Sequence, residues 1–91
     1  MDDSTNIRIK RLLYRSNNRG CKETDILMGG FASGYIEEFS QIELDEYELI
    51  LDESDSDIFN WIAGKVPVPD RLKTNSVLGR LLNFKLNIYI K

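Results

Sequence analysis

The chain has 91 residues, 42% of them hydrophobic, a formal net charge of −3, one cysteine and no histidine. That length supports one small domain without room for a large active-site cavity. A single cysteine and no histidine exclude an intrachain disulfide, a His/Cys zinc centre and catalysis by an imidazole base, and no apolar run approaches the ~20 residues that insert into a bilayer.

Residues 1–6 read as a polar, disordered leader, without the basic and apolar regions of a signal peptide, so the chain is expected to stay soluble inside a cell. From Ile7 to about Ser16, Ile9, Leu12 and Leu13 form an apolar stripe, and Arg8, Lys10, Arg11 and Arg15 cover the remaining surface. This predicts a short basic amphipathic helix that packs on a neighbour rather than lying on a membrane. Asn17, Asn18 and Gly20 then break it, because both residue types tolerate turn dihedrals.

Beyond the turn, Ile26, Leu27, Phe31, Tyr35 and Ile36 recur at helical spacing, and Glu23 and Asp25 sit where carboxylates suit a helix N-terminus. A second helix over 22–35 follows. Gly29, Gly30 and Gly34 each weaken it by ~1 kcal/mol, so they call for a reason such as a closely packed neighbour. The alternative ends the helix near Met28, with Gly29 as its C-cap.

Ser40, followed three residues later by Glu43, is a capping-box pattern that opens a third helix with Leu44, Tyr47, Ile50 and Leu51 inward. Ser54-Asp55-Ser56-Asp57 supplies caps for a fourth helix, Ile58 to Ala63, which Gly64 ends. Its acids lack the glycine and terminal glutamate of a calcium loop, so no metal site is expected. Val66-Pro67-Val68-Pro69 reads as an extended connector. Pro69 or Asp70 opens the last helix, carried by Leu72, Val77, Leu78, Leu81 and Leu82. Past Asn83, Phe84, Leu86, Ile88 and Ile90 alternate with polar or aromatic residues, which predicts an extended tail over 84–91. The expected fold is all-α: a small antiparallel bundle of about five helices over 7–83 with that tail appended.

Charge is strongly segregated. Residues 1–22 carry six basic and two acidic groups, residues 23–63 carry twelve acidic and no basic groups, and residues 64–91 carry six basic and one acidic group. The acidic middle repels phosphates and argues against nucleic-acid binding. It suits internal pairing with the two ends, or a partner with a basic surface.

Arg19, Gly20 and Glu23, spaced R-G-x-x-E with Asp25 two residues on, resemble the signature of the succinate dehydrogenase flavinylation factor family. The likeness extends from Lys10-Arg11-Leu12-Leu13-Tyr14-Arg15 through Leu44-Asp45-Glu46-Tyr47-Glu48 to Leu51-Asp52-Glu53 and Phe59-Asn60-Trp61, covering roughly residues 7–83. The resemblance implies an assembly factor that binds the flavoprotein subunit of succinate dehydrogenase, or of fumarate reductase, and promotes covalent attachment of FAD to it. It implies that Arg19, Gly20 and Glu23 form the docking surface, and that FAD and the accepting histidine belong to the client. Asp25 extends that patch, and Asp52, Phe59 and Trp61 are further candidates for partner contact, although core packing is the default account of the two rings. No residue of this chain is assigned a catalytic role.

Taken without the family, Glu23 reads as a capping acid reaching back to the Gly20 amide, and Arg19 as a solvated or paired cation. Cys21 has no base partner that would make it a nucleophile. An antitoxin-like or regulatory binding module is the rival function. A monomer is expected, in a bacterial cytoplasm, or in a mitochondrial matrix if the chain is a trimmed mature form.

Overall fold

The computed structural model describes the backbone of residues 3–89 and the side chains of residues 4–84. Five α-helices follow one another: α1 (Asp3–Asn17), α2 (Lys22–Tyr35), α3 (Gln41–Leu51), α4 (Asp55–Ile62) and α5 (Ser76–Tyr89). Short 3₁₀ turns, Ile36–Glu38 and Asp70–Leu72, follow α2 and precede α5, and no strand occurs among the described residues.

The helix ends are written in local chemistry. Ser40 Oγ accepts from the Glu43 amide at 3.2 Å while Glu43 Oε1 accepts from the Ser40 amide at 2.8 Å, the expected capping box. Ser54 Oγ accepts from the Asp57 amide at 3.1 Å, so α4 begins at Asp55 and takes in the acids before Ile58. Its other end is a Schellman closure on Gly64, φ +75°, with the Gly64 amide on the Trp61 carbonyl at 3.2 Å and the Lys65 amide on that of Asn60 at 2.9 Å. Asn75, which had no place in the sequence reading, accepts from the Leu78 amide at 2.9 Å and starts α5 at Ser76, several residues beyond Asp70.

Two expectations are corrected. The disordered leader does not hold for residues 3–6, which form the first turns of α1; Gln41 Nε2 donates to Thr5 Oγ1 at 3.1 Å, tying the turn to α3. Residues 1 and 2 lie outside the described residues. The extended tail does not hold for residues 84–89, which continue α5. Phe84 follows Val77 and Leu81 around one helical face, and its ring meets Phe31 at 5.6 Å and Tyr35 at 6.0 Å, so packing selects helix over the alternating reading. Residues 90 and 91, also assigned to the tail, lie outside the described residues.

In the packed structure α1 rests on α2 and α3, α2 also touches α4 and α5, and α3 lies against α5. The core draws on every helix: Leu12 from α1, Leu27, Met28 and Phe31 from α2, Leu44, Tyr47 and Ile50 from α3, Ile58 and Trp61 from α4, and Val77 and Leu81 from α5. Each such side chain contributes about 1.5–3 kcal/mol of transfer free energy. Helix α2 is continuous, as expected, and one of its glycines explains the weakness it accepts. A Cβ on Gly29 would lie 2.3 Å from Asn17 Oδ1, so the bare backbone admits the end of α1.

Tyr47 stands at the centre, fully buried, with Phe31 and Phe39 rings each 6.0 Å from its own. Its hydroxyl lies 2.5 Å from Ser16 Oγ, which donates to the Leu12 carbonyl at 2.8 Å. The serine proton is therefore used on α1, and the phenol donates to the serine oxygen, joining α3 to α1 inside the core. Burial, the largest cause, pushes the Tyr47 pKa up to about 12. The folded state then holds a proton that the unfolded chain releases near pH 10, so this contribution to stability is full below pH 10 and is lost as pH rises towards 12. Chemical denaturation between pH 9 and 12 is expected to show a fall of about 1.4 kcal/mol per pH unit above pH 10 that is absent from Tyr47→Phe.

Candidate functional site

The site is built from the α1–α2 turn. With Asn17 the last residue of α1 and Cys21 the N-cap of α2, the chain reverses over Asn18, Arg19 and Gly20. Gly20 holds φ +94°, which a side chain resists, and an added Cβ would meet only Asp55 Oδ2 at 3.9 Å. The requirement for glycine is therefore one of backbone conformation, not of space.

Arg19 points inward. Its side chain is 9% exposed, and three of its nitrogens are engaged on the segment joining α3 to α4. Nε donates to Asp55 Oδ1 at 2.8 Å, Nη1 to the Leu51 carbonyl at 2.5 Å and Nη2 to the Glu53 carbonyl at 2.6 Å. The Leu51 carbonyl is one of those left without a partner at the end of α3, and a cation there also suits the negative end of the helix dipole. Arg19 is thus a cap for α3 and a tie to α4: it is paired, as the reading without the family allowed, but its side chain faces inward and not outward from the surface.

The capping acid of the turn is Asp25. Its Oδ1 accepts from the Arg19 amide at 2.5 Å, while the Asp25 amide donates to the Cys21 carbonyl at 2.8 Å. Glu23, expected to reach back to the Gly20 amide, stays exposed; its one polar contact is with Cys21 Sγ at 3.9 Å, and it makes no ion pair among the described residues. Thr24, on the inner side of the same turn, is buried with its hydroxyl unpartnered.

The remaining candidates divide by exposure. Asp52 is exposed and accepts from Arg15 Nη2 at 2.9 Å. Phe59 is 38% exposed, with Lys65 Nζ 5.9 Å from its ring centroid. Trp61 is 7% exposed and belongs to the core, the alternative already open for it, so its ring is not presented at the surface. Arg19, Gly20 and Asp25 come together with Asp55, which the sequence reading treated only as a cap. A separation of 36 residues carries no local pattern that would link Asp55 to Arg19.

Around this turn half of the acidic middle, six of its twelve carboxylates, is paired with the basic ends among the described residues. Arg8 meets Asp45 at 2.5 Å and Glu48 at 3.0 Å, Arg80 meets Glu43 at 2.9 Å, and Arg71 meets Glu53, whose carboxyl it holds below the usual carboxylate range. Among the described residues, Glu23, Asp25, Glu37, Glu38, Glu46 and Asp57 keep no ion pair, although Asp25 accepts from the Arg19 amide and Glu46 from the Ser76 hydroxyl.

Removing Arg19 strips partners from Asp55 and from two carbonyls at once. Arg19→Ala is expected to lower unfolding free energy by about 2 kcal/mol or more, whereas Glu23→Gln changes it by less than about 0.5 kcal/mol, as read from urea denaturation. Thr24→Val, which removes the orphan hydroxyl at nearly constant shape, is expected to raise stability by about 1 kcal/mol in the same measurement.

Comparison with known proteins gives the family of the chain. A family model described as flavinator of succinate dehydrogenase matches residues 10–85, which contain the whole site. Relatives named succinate dehydrogenase assembly factor 2, mitochondrial, include one from Candida glabrata, 38% identical over 90 residues, covering 96% of this chain and 59% of the relative. Others come from Debaryomyces hansenii, 42% identical over 79 residues with 84% and 56% covered, and from Dictyostelium discoideum, 45% identical over 65 residues with 71% and 46% covered. The chain spans about half the length of the curated relatives it matches. Similarity of this extent, carried through the turn and all the helices that hold it, makes the chain a member of the flavinator of succinate dehydrogenase family.

Proposed function

We propose that this protein is an assembly factor that binds the flavoprotein subunit of succinate dehydrogenase, or of the related fumarate reductase, and promotes covalent attachment of FAD to that subunit. The observation that carries the reading is the division of labour within the signature. Arg19 is consumed internally and Asp25 caps the turn, so Glu23 is left exposed and without an ion pair beside the positive-φ Gly20. An unpaired carboxylate next to a glycine that lets a second surface approach closely is a fitting contact for a basic group on a client. Exposed Asp52 and Phe59 are proposed as peripheral contacts, while Trp61 stays in the core.

The chain acts by positioning, not by chemistry. It contains no histidine, and the carboxylates at the turn, those of Glu23, Asp25 and Asp55, would repel a pyrophosphate. FAD is therefore assigned to the client, and this protein holds the client so that the flavin and its accepting histidine stay in register. Fixing two reacting groups in this way lowers a barrier by several kcal/mol without any catalytic side chain from the assembly factor. The names of the relatives support a mitochondrial location for this chain in preference to a bacterial cytoplasm. A monomer remains the proposed state, and no observation favours the antitoxin-like alternative over a factor of the matched family.

The test is to incubate purified protein with apo flavoprotein subunit and FAD, then read flavin fluorescence on the subunit band after denaturing electrophoresis. A band that brightens with wild type, and falls about tenfold with Glu23→Gln or Gly20→Arg in folded protein, is expected. Equal fluorescence with and without the protein would overturn the proposal.

A further inference from the structure

One residue with positive φ does not hold a turn by itself; its flanks must. On one side of Gly20 the Arg19 amide is fixed by Asp25, and on the other Cys21 enters α2. The Arg19 side chain is fixed by three acceptors, and two of them, the carbonyls of Leu51 and Glu53, are backbone. The third is the carboxylate of Asp55. That carboxylate spans the first two positions of the signature: Oδ1 takes Nε of Arg19 at 2.8 Å, and Oδ2 lies 3.9 Å from where a Gly20 Cβ would stand. Its side chain is 24% exposed, and the helix that carries it is capped at Ser54, so Asp55 sits on a firm element.

We propose that Asp55 is a positioning residue for client recognition, holding Arg19 and, through it, the Gly20 backbone, so that Glu23 is aimed at the client without Asp55 touching the client itself. This rests on the assembly-factor reading above. The recognition surface then depends on α4 as well as on the α1–α2 turn, and the acid that matters there is distinguished from its neighbours Asp52 and Asp57 by its partner.

The test combines affinity for the apo flavoprotein subunit with the amide NMR signal of Gly20, for the full chain carrying Asp55→Ala, Glu23→Gln, both changes, or Asp45→Ala as a control that loses a remote ion pair. In folded Asp55→Ala the Gly20 signal should shift and affinity should fall about tenfold, and adding Glu23→Gln should cost less than it does alone, because the aim of Glu23 has already been lost. Asp45→Ala should leave both readouts as in wild type. Should Asp55→Ala fail to fold, Asp55→Asn, which keeps an acceptor for Arg19 while removing the charge, is read by the same scheme.

An unmoved Gly20 signal with unchanged affinity overturns the proposal. So does a loss of affinity that adds fully to that of Glu23→Gln, since Asp55 would then be an independent contact. Wild type that does not bind the client overturns the assembly-factor reading and the recognition role with it, and a Gly20 shift in Asp55→Ala then identifies Asp55 as a support of the fold alone.

Discussion

The structure depends on where one guanidinium goes. Helices α3 and α4 meet at a short connection where the Leu51 and Glu53 carbonyls point to the Arg19 fork, which arrives from the α1–α2 turn and supplies donors to Leu51, Glu53 and Asp55 together. Burying a cation is costly unless its hydrogen bonds are made, and here three are made in one plane, the geometry that arginine offers and lysine does not. The turn and the helix pair opposite are consequently one unit, and the exposed face of the signature inherits its rigidity from the buried one.

The same economy governs charge along the chain. An acidic stretch of twelve carboxylates with no cation would repel itself, and the basic ends fold back onto it: α1 contributes Arg8 and Arg15 to α3, and residues near the C-terminal end contribute Arg71 and Arg80. Exposed pairs of this kind are each worth about 0–1 kcal/mol, so they set which faces meet more than they hold them together. Cohesion comes from the apolar side chains and from Tyr47, whose phenol joins α3 to α1 through Ser16 in the interior. The acids left unpaired, Glu23 among them, are then the ones free to act outside the chain.

Glycine in α2 shows local cost set against tertiary gain. Gly29 weakens the helix that contains it, yet its missing Cβ is the space occupied by Asn17, and Gly30 lies under the ring of Phe84. The bare Gly29 admits the end of α1, whereas a Cβ at Gly30 would meet Phe84 only at ordinary contact distance. The aromatic group Phe31, Tyr35 and Phe84 joins α5 to α2 with edge-on contacts.

By itself the sequence determined what short-range chemistry can dictate. The capping box at Ser40 and Glu43, the glycine stop at Gly64, the span of α2, the inward face of α3 and the R-G-x-x-E spacing were all legible, because each rests on residues within one or two helical turns. Only the tertiary structure decided the rest. Asp25 rather than Glu23 caps the turn, since both acids lie within reach and the path of the backbone chooses between them. Residues 3–6 and 84–89 are helical because Thr5 and Phe84 find partners on other helices, information that a polar run or an alternating run does not carry. Arg19 turns inward because its acceptors lie 32 to 36 residues away, and no spacing along the chain records a contact made only when α3 and α4 close over the turn.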